Sequence, residues 1–134
     1  MSETKPKLFL LDAYALIFRA YYAFIRAPRV NSKGINTSAA YGFTNTLLDI
    51  LKRENPSHLA VVIDYSGPTF RNELYPDYKA HREATPEDIK KSVPQIKSIL
   101  EALKIPLISI SGFEADDVIG TLAVRASREG YMTY

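Results

Sequence analysis

The 134-residue chain contains no cysteine. Disulfides and thiolate metal sites are therefore excluded, and an intracellular, cytoplasmic setting is favoured. Histidine is nearly as scarce: the two residues, His58 and His81, stand in no metal-ligand spacing. No apolar run approaches the length of a membrane span, so no membrane partner is expected. The opening MSETKPK lacks the apolar stretch of a secretory signal. Internal repeats and low-complexity tracts are absent, as are a Walker A loop, a GxGxxG turn and a nucleophile elbow. An excess of one charge is missing too. The formal net charge is +2, so only the distribution of charge informs about partners. What is present is a globular composition, 46% hydrophobic and 24% charged, at a length that suits one domain.

Short apolar runs alternate with longer periodic ones. KLFLLD, Lys7 to Asp12, reads as a buried strand. YALIFRAYYAFI, Tyr14 to Ile25, is too long and continuous for another strand and reads as a helix. APRVNSKGIN is a loop. Thr37 or Ser38 then caps a helix that Pro56 ends, with Tyr41, Thr44 or Leu48, and Leu51 at helical spacing. HLAVVID, His58 to Asp64, is a second strand. Residues 65–84 hold glycine, two prolines and no lasting periodicity, and read as a long loop or partly helical lid. TPED, Thr85 to Asp88, has the grammar of a helix start, and that helix runs to about Lys104 with a kink expected near Pro94. PLISIS, Pro106 to Ser111, is a third strand. A helix from about Ala115 to Glu129 stops at Gly130, and YMTY begins a fourth strand. The alternation predicts an α/β fold with a mostly parallel sheet flanked by helices.

In such sheets ligands bind beyond the carboxyl ends of the strands. Asp12 ends the first strand, Asp64 the second, and Glu114, Asp116 and Asp117 follow the third. Five carboxylates thus arrive at one edge. Clustered carboxylates raise one another's pKa unless a positive group sits among them, and a hard divalent cation with oxygen ligands is the natural partner. Two such ions can activate a water and stabilise the leaving oxygen in phosphodiester hydrolysis. Each acid also has a plainer role. Glu114, Asp116 and Asp117 can cap a helix and complement its dipole, and Asp12 and Asp64 can bond nearby backbone N–H groups. An aspartyl-phosphate enzyme using Asp12 would want a second acid close by, and Ala13, Tyr14 and Ala15 offer none.

A second segment, TFRNELYPDYKAHR, interleaves Arg71, Lys79 and Arg82 with Phe70, Tyr75 and Tyr78. Basic groups bind phosphates and aromatic rings stack on unpaired bases; the alternative is an ordinary solvated loop. Arg19, one or two turns past Asp12, is placed either to meet a phosphate or to pair with one of the acids.

LLDAYALIFRAYYAF, AAYGFTNTLL, AVVIDYSGPTFRNELYPDYKAHR, TPEDI and SGFEADDVIGTLA together resemble the 5′-nuclease (5′-3′ exonuclease) domain of bacterial DNA polymerase I, within the flap-endonuclease family of PIN-like, resolvase-like fold. The resemblance runs from Leu8 to Tyr131, and its motifs keep the family's order and spacing. It implies hydrolysis of DNA phosphodiesters at 5′ ends and flaps with Mg²⁺ or Mn²⁺, two ions in the complete domain. Asp12, Asp64, Glu114, Asp116 and Asp117 match the metal-site acids. Arg19, Lys79 and Arg82 match basic residues at the scissile phosphate or the 5′ strand. Phe18, Arg71, Tyr75 and Tyr78 are the further DNA-contacting candidates. Residues 75–82 correspond to the family's helical arch. The usual glycine after the first aspartate is Ala13 here, and the usual tyrosine before the arginine is Phe18.

The resemblance also implies that residues 1–134 correspond to the N-terminal, resolvase-like half of the domain, without the later aspartate pair and the helix–three-turn–helix element that grips duplex DNA. A linked polymerase domain, bacterial nucleoid-associated work, and weak or absent activity of the half-domain follow from the same resemblance. Two other readings share the acidic edge: a non-catalytic module for flaps or single-stranded DNA, and a PIN-type ribonuclease.

Overall fold

The computed structural model describes residues 5–64 and 87–134. The basic–aromatic segment, the lid reading of residues 65–84, the Thr85 cap and Pro86 all lie outside the described residues. Within them the chain forms β1 (Lys7–Asp12), α1 (Ala13–Ala23), α2 (Ser38–Glu54), β2 (His58–Val62), α3 (Glu87–Ala102), β3 (Leu107–Ile108), α4 (Ala115–Arg128) and β4 (Met132–Thr133). These elements group into two compact units: the four strands with α4, and the three helices α1, α2 and α3.

In the first unit the strands pair in the order β3-β2-β1-β4, every pair parallel. The apolar runs that mark β1 and β2 in the sequence supply its centre: Phe9, Leu10, Ala60, Val61 and Val62 are buried. Near-continuous apolar runs suit strands covered on both faces. Leu8 to Asp12 pair with His58 to Val62. β3 is shorter than the expected Pro106 to Ser111. Its last rung is the Ile63 N–H donating to the Ile108 carbonyl at 2.9 Å; beyond it Ile110 is exposed and Gly112 turns the chain at φ 84°. The expected fourth strand is present as β4. The Tyr134 N–H donates to the Leu8 carbonyl, the Leu10 N–H donates to the Tyr134 carbonyl, and the Tyr134 ring stacks on Phe9 at 4.9 Å.

α4 lays Ala115 and Val118 on Val62, with Ile108, Ile119 and Leu122 around them. It ends as its sequence predicts. Gly130 takes φ 90°, and the Tyr131 N–H closes the last turn on the Ala126 carbonyl at 2.9 Å.

The second unit departs from expectation in three places. α1 ends at Ala23 rather than Ile25. The chain then passes through tight turns, Phe24 N–H to Tyr21 O and Ala27 N–H to Phe24 O, because Pro28 disfavours a helical Ala27. Neither expected cap of α2 acts as one. The Thr37 hydroxyl donates to the Arg29 carbonyl at 3.2 Å instead of capping, and Ser38 is buried with its Oγ accepting from the Arg29 N–H at 2.8 Å. The buried face of α2 is Ala39, Ala40, Phe43 and Leu47, whereas Tyr41 and Leu48 are 44% and 47% exposed. Both faces carry apolar residues at helical spacing, so periodicity alone does not choose between them. α3 runs through Pro94 and ends before Lys104, which takes a left-handed φ of 58° while the Ile105 N–H reaches back to the Leu100 carbonyl.

Arg29 holds the α1–α2 connection together. Its guanidinium lies 5.4 Å from the Phe24 ring centre and 5.2 Å from that of Tyr41, and its carbonyl accepts from the Thr37 N–H at 2.7 Å. Two cation–π faces at a partly exposed site stabilise by about 1 kcal/mol together. Arg29→Ala is therefore expected to lower the thermal midpoint by about 3–5 °C, read by calorimetry, with Arg29→Lys recovering less than half of the loss because an ammonium cannot stack. An unchanged midpoint would refute that role.

Candidate active site

The acids singled out in the sequence all belong to the strand unit. Asp12 is the last residue of β1 and stands opposite Val62 in the parallel register. Asp64 lies two residues beyond the end of β2. Both are half-buried. Glu114 is the N-cap of α4, extended at φ −84° and ψ 163°, and Asp116 and Asp117 occupy its first turn. Parallel pairing puts the ends of β1 and β2 at the same edge, and the turn at Gly112 brings the start of α4 there from β3.

A hydrogen bond joins two of these pieces, Asp64 and the start of α4. The Ala115 N–H donates to Asp64 Oδ1 at 2.6 Å across 51 residues of sequence. Glu114 and Asp117 form a capping box, in which the Glu114 N–H donates to Asp117 Oδ2 at 3.0 Å. The plainer capping role thus applies to Glu114, Asp117 and Asp64, while Asp116 is exposed on the first turn. Capping does not use up a carboxylate: its two oxygens carry about four acceptor positions. Asp12, Glu114 and Asp117 each have further partners.

The donors fit a hard divalent cation in kind, since all are oxygens at the carboxyl end of parallel strands. They fall short in number at one point: among the described residues no three Asp, Glu or His side chains are grouped to hold an ion. Asp64 meets the helix that carries Glu114, Asp116 and Asp117, and Asp12 ends the neighbouring strand.

The description of one protein family matches residues 7–134: 5′-3′ exonuclease, N-terminal resolvase-like domain. The chain belongs to that family. Among its relatives, DNA polymerase I of Mycobacterium bovis is 47% identical over 132 residues, covering 96% of this chain and 14% of that protein. DNA polymerase I of Geobacillus stearothermophilus is 43% identical over 128 residues, covering 95% and 14%. The chain therefore spans about one seventh of the length of the curated relatives it matches. Among solved structures, the bacteriophage T5 flap endonuclease in a pseudo-enzyme–product complex with DNA and metal ions superposes with a TM-score of 0.68 at 17% identity, over 95% of this chain and 47% of that one. The T5 5′-exonuclease with bound zinc gives 0.63 at 20%, over 95% and 47%. At these identities the likeness shows a shared fold, the PIN-like, mostly parallel α/β fold expected from the sequence.

In this exonuclease N-terminal domain the two departures from the family pattern are easily accommodated. Ala13 is the buried first residue of α1, where a Cβ meets no conformational objection. Phe18 is half-buried in a row of rings on α1, 6.2 Å from Tyr14 and 6.3 Å from Tyr22. Arg19 is exposed and lines a groove of about 330 Å³ in the helical unit with Leu16, Phe24, Gly42 and Asp49. Asp49 is itself paired to Arg53 at 2.9 Å. Arg71, Tyr75, Tyr78, Lys79 and Arg82 lie outside the described residues. Sequence reasoning missed the Ala115 N–H. Its signal is indirect: an N-cap side chain serves the second or third amide of a helix, so the first, at Ala115, needs an acceptor from elsewhere.

Proposed function

We propose that the chain is the metal-site half of a DNA 5′-nuclease that hydrolyses phosphodiesters at 5′ ends and flaps with Mg²⁺ or Mn²⁺, linked in the natural protein to a polymerase domain and working in the bacterial cytoplasm. The observation that carries the reading is the bond from Ala115 to Asp64, which brings a strand-end aspartate to an acid-rich helix start in a chain of this family. Asp12, Asp64, Glu114, Asp116 and Asp117 would hold the metal, and Arg19, Lys79 and Arg82 would meet the phosphate and the 5′ strand, with Phe18, Arg71, Tyr75 and Tyr78 against the DNA. When bound, a divalent cation supplies Lewis-acid polarisation of the scissile phosphate and relieves the mutual repulsion of the carboxylates. The protein's own part is to place those carboxylates at the ends of rigid strands and to orient a flap by charge and stacking.

Because the described residues group no three acids, and the matched T5 structures are about twice as long as the region shared with this chain, the 134 residues by themselves are expected to bind metal weakly and to cleave slowly or not at all. The test is Mn²⁺ titration by calorimetry together with cleavage of a labelled 5′-flap duplex with and without EDTA. Weak Mn²⁺ binding, with slow EDTA-sensitive cleavage or none, is the expected result, and robust cleavage by these residues alone would overturn the expectation of weak activity. Cleavage that persists in EDTA would overturn the reading. Flap binding indifferent to Mn²⁺, with no cleavage at any concentration, would favour the non-catalytic module instead.

A further inference from the structure

We propose that Asp64 is a positioning residue for α4 as well as a member of the metal site: through Oδ1 it anchors the first turn of α4 to the end of β2, and its carboxylate thereby sets where the helix-borne acids stand. The proposal rests on the metal-site reading only for its second role; the first stands on geometry. Asp64 is itself held. Its neighbour Ile63 donates to the Ile108 carbonyl at 2.9 Å, so the chain is still in the sheet one residue before the aspartate. On the other side Ala115 is buried against Val62 and Val118, so its N–H cannot turn to water without unpacking the start of the helix. A buried donor without an acceptor is strongly disfavoured.

The local sequence leaves that donor to Asp64. The first four N–H groups of a helix have no partner inside it. In α4 the capping box joins the Glu114 side chain to the Asp117 N–H and the Asp117 side chain to the Glu114 N–H, while the Ala115 N–H goes to Asp64 Oδ1. A carboxylate there forms a charge-assisted bond and lies at the positive end of the helix dipole. Glu114, Asp116 and Asp117 flank the anchored residue, so the anchor fixes their distance from the strand ends. An ion arriving at this edge would therefore find Asp64 already oriented, as ligands are when a fixed outer donor holds them.

Two substitutions separate the roles. Asp64→Asn keeps an oxygen that accepts from Ala115 and removes the charge. Asp64→Ala removes both. The protein is studied in EDTA, by thermal denaturation and by exchange of the Ala115 amide proton, and then with Mn²⁺ by calorimetry. Without metal, Asp64→Asn is expected to melt within about 2 °C of the parent and to protect the Ala115 amide, while Asp64→Ala melts about 5–10 °C lower, or fails to fold, and exposes it. Equal melting and equal Ala115 protection in both variants would overturn the positioning role, as would failure of Asp64→Asn to fold. With Mn²⁺, both variants are expected to lose binding. Retained Mn²⁺ binding in Asp64→Asn would instead defeat the metal-site reading and leave the anchor standing, so the two failures are distinguishable.

Discussion

Gly42→Ala is expected to destabilise the protein by about 1–3 kcal/mol, the range for forcing an extra methyl into a packed contact. The sign is the informative part. In an exposed helix interior the same change stabilises by roughly 0.5–1 kcal/mol, because alanine loses less backbone entropy than glycine. At Gly42 a Cβ would stand 2.5 Å from the Cβ of Ala20 and 3.2 Å from its Cα, with Phe24 Cε2 at 3.6 Å. The nearest obstacles are a methyl and the backbone of α1, neither of which can swing aside, so α1 and α2 must separate. That separation also opens the groove that holds Arg19. Gly120 on α4 is the internal control. It is exposed and a Cβ there meets nothing within 4 Å, so Gly120→Ala is expected to raise stability. Thermal denaturation of the two variants side by side checks both. Stabilisation by Gly42→Ala would show that the helices do not cross where the structure places them.

On the metal-site reading proposed above, Asp12→Asn is expected to weaken Mn²⁺ binding at least about tenfold and to reduce whatever metal-dependent flap cleavage the chain supports by about a hundredfold, the effect of losing roughly 3 kcal/mol of transition-state stabilisation. The amide is nearly the same shape, so the substitution removes charge and leaves the strand end in place. Asp12 is half-buried at the carboxyl end of β1, opposite Val62. A loss of Mn²⁺ affinity measured on protein that is still folded in EDTA is the signature of a ligand. A drop in the EDTA melting temperature with unchanged Mn²⁺ affinity would make Asp12 a structural cap and remove it from the metal site.

Part of this fold is legible in the sequence. KLFLLD and HLAVV announce strands because a short, unbroken apolar run has no other stable use, and Gly130 announces a helix end because few other residues take φ near 90°. The acids were legible as a set because they follow three apolar runs, and parallel topology sends all three run-ends to one edge. The motifs placed the chain in its family for a related reason: site chemistry constrains residue types more tightly than packing does.

Other features were settled only by tertiary contact. Which stripe of α2 is buried depends on what lies against it, and two apolar stripes of similar quality compete on that helix. The order β3-β2-β1-β4, with β3 and β4 on the two outer edges of the β1–β2 pair, is a matter of long-range pairing that no local pattern encodes. The need for glycine at residue 42 arises from a neighbour 22 positions earlier in the chain. The Ala115 donor was invisible because a backbone N–H has no letter in the sequence; only the fold brings Asp64 within 2.6 Å of it. By itself, the sequence determined which residues are acids, strands and stops, since those are local properties of side chains and backbone. The tertiary structure decided which of them meet, because meeting is a matter of packing between segments far apart in the chain.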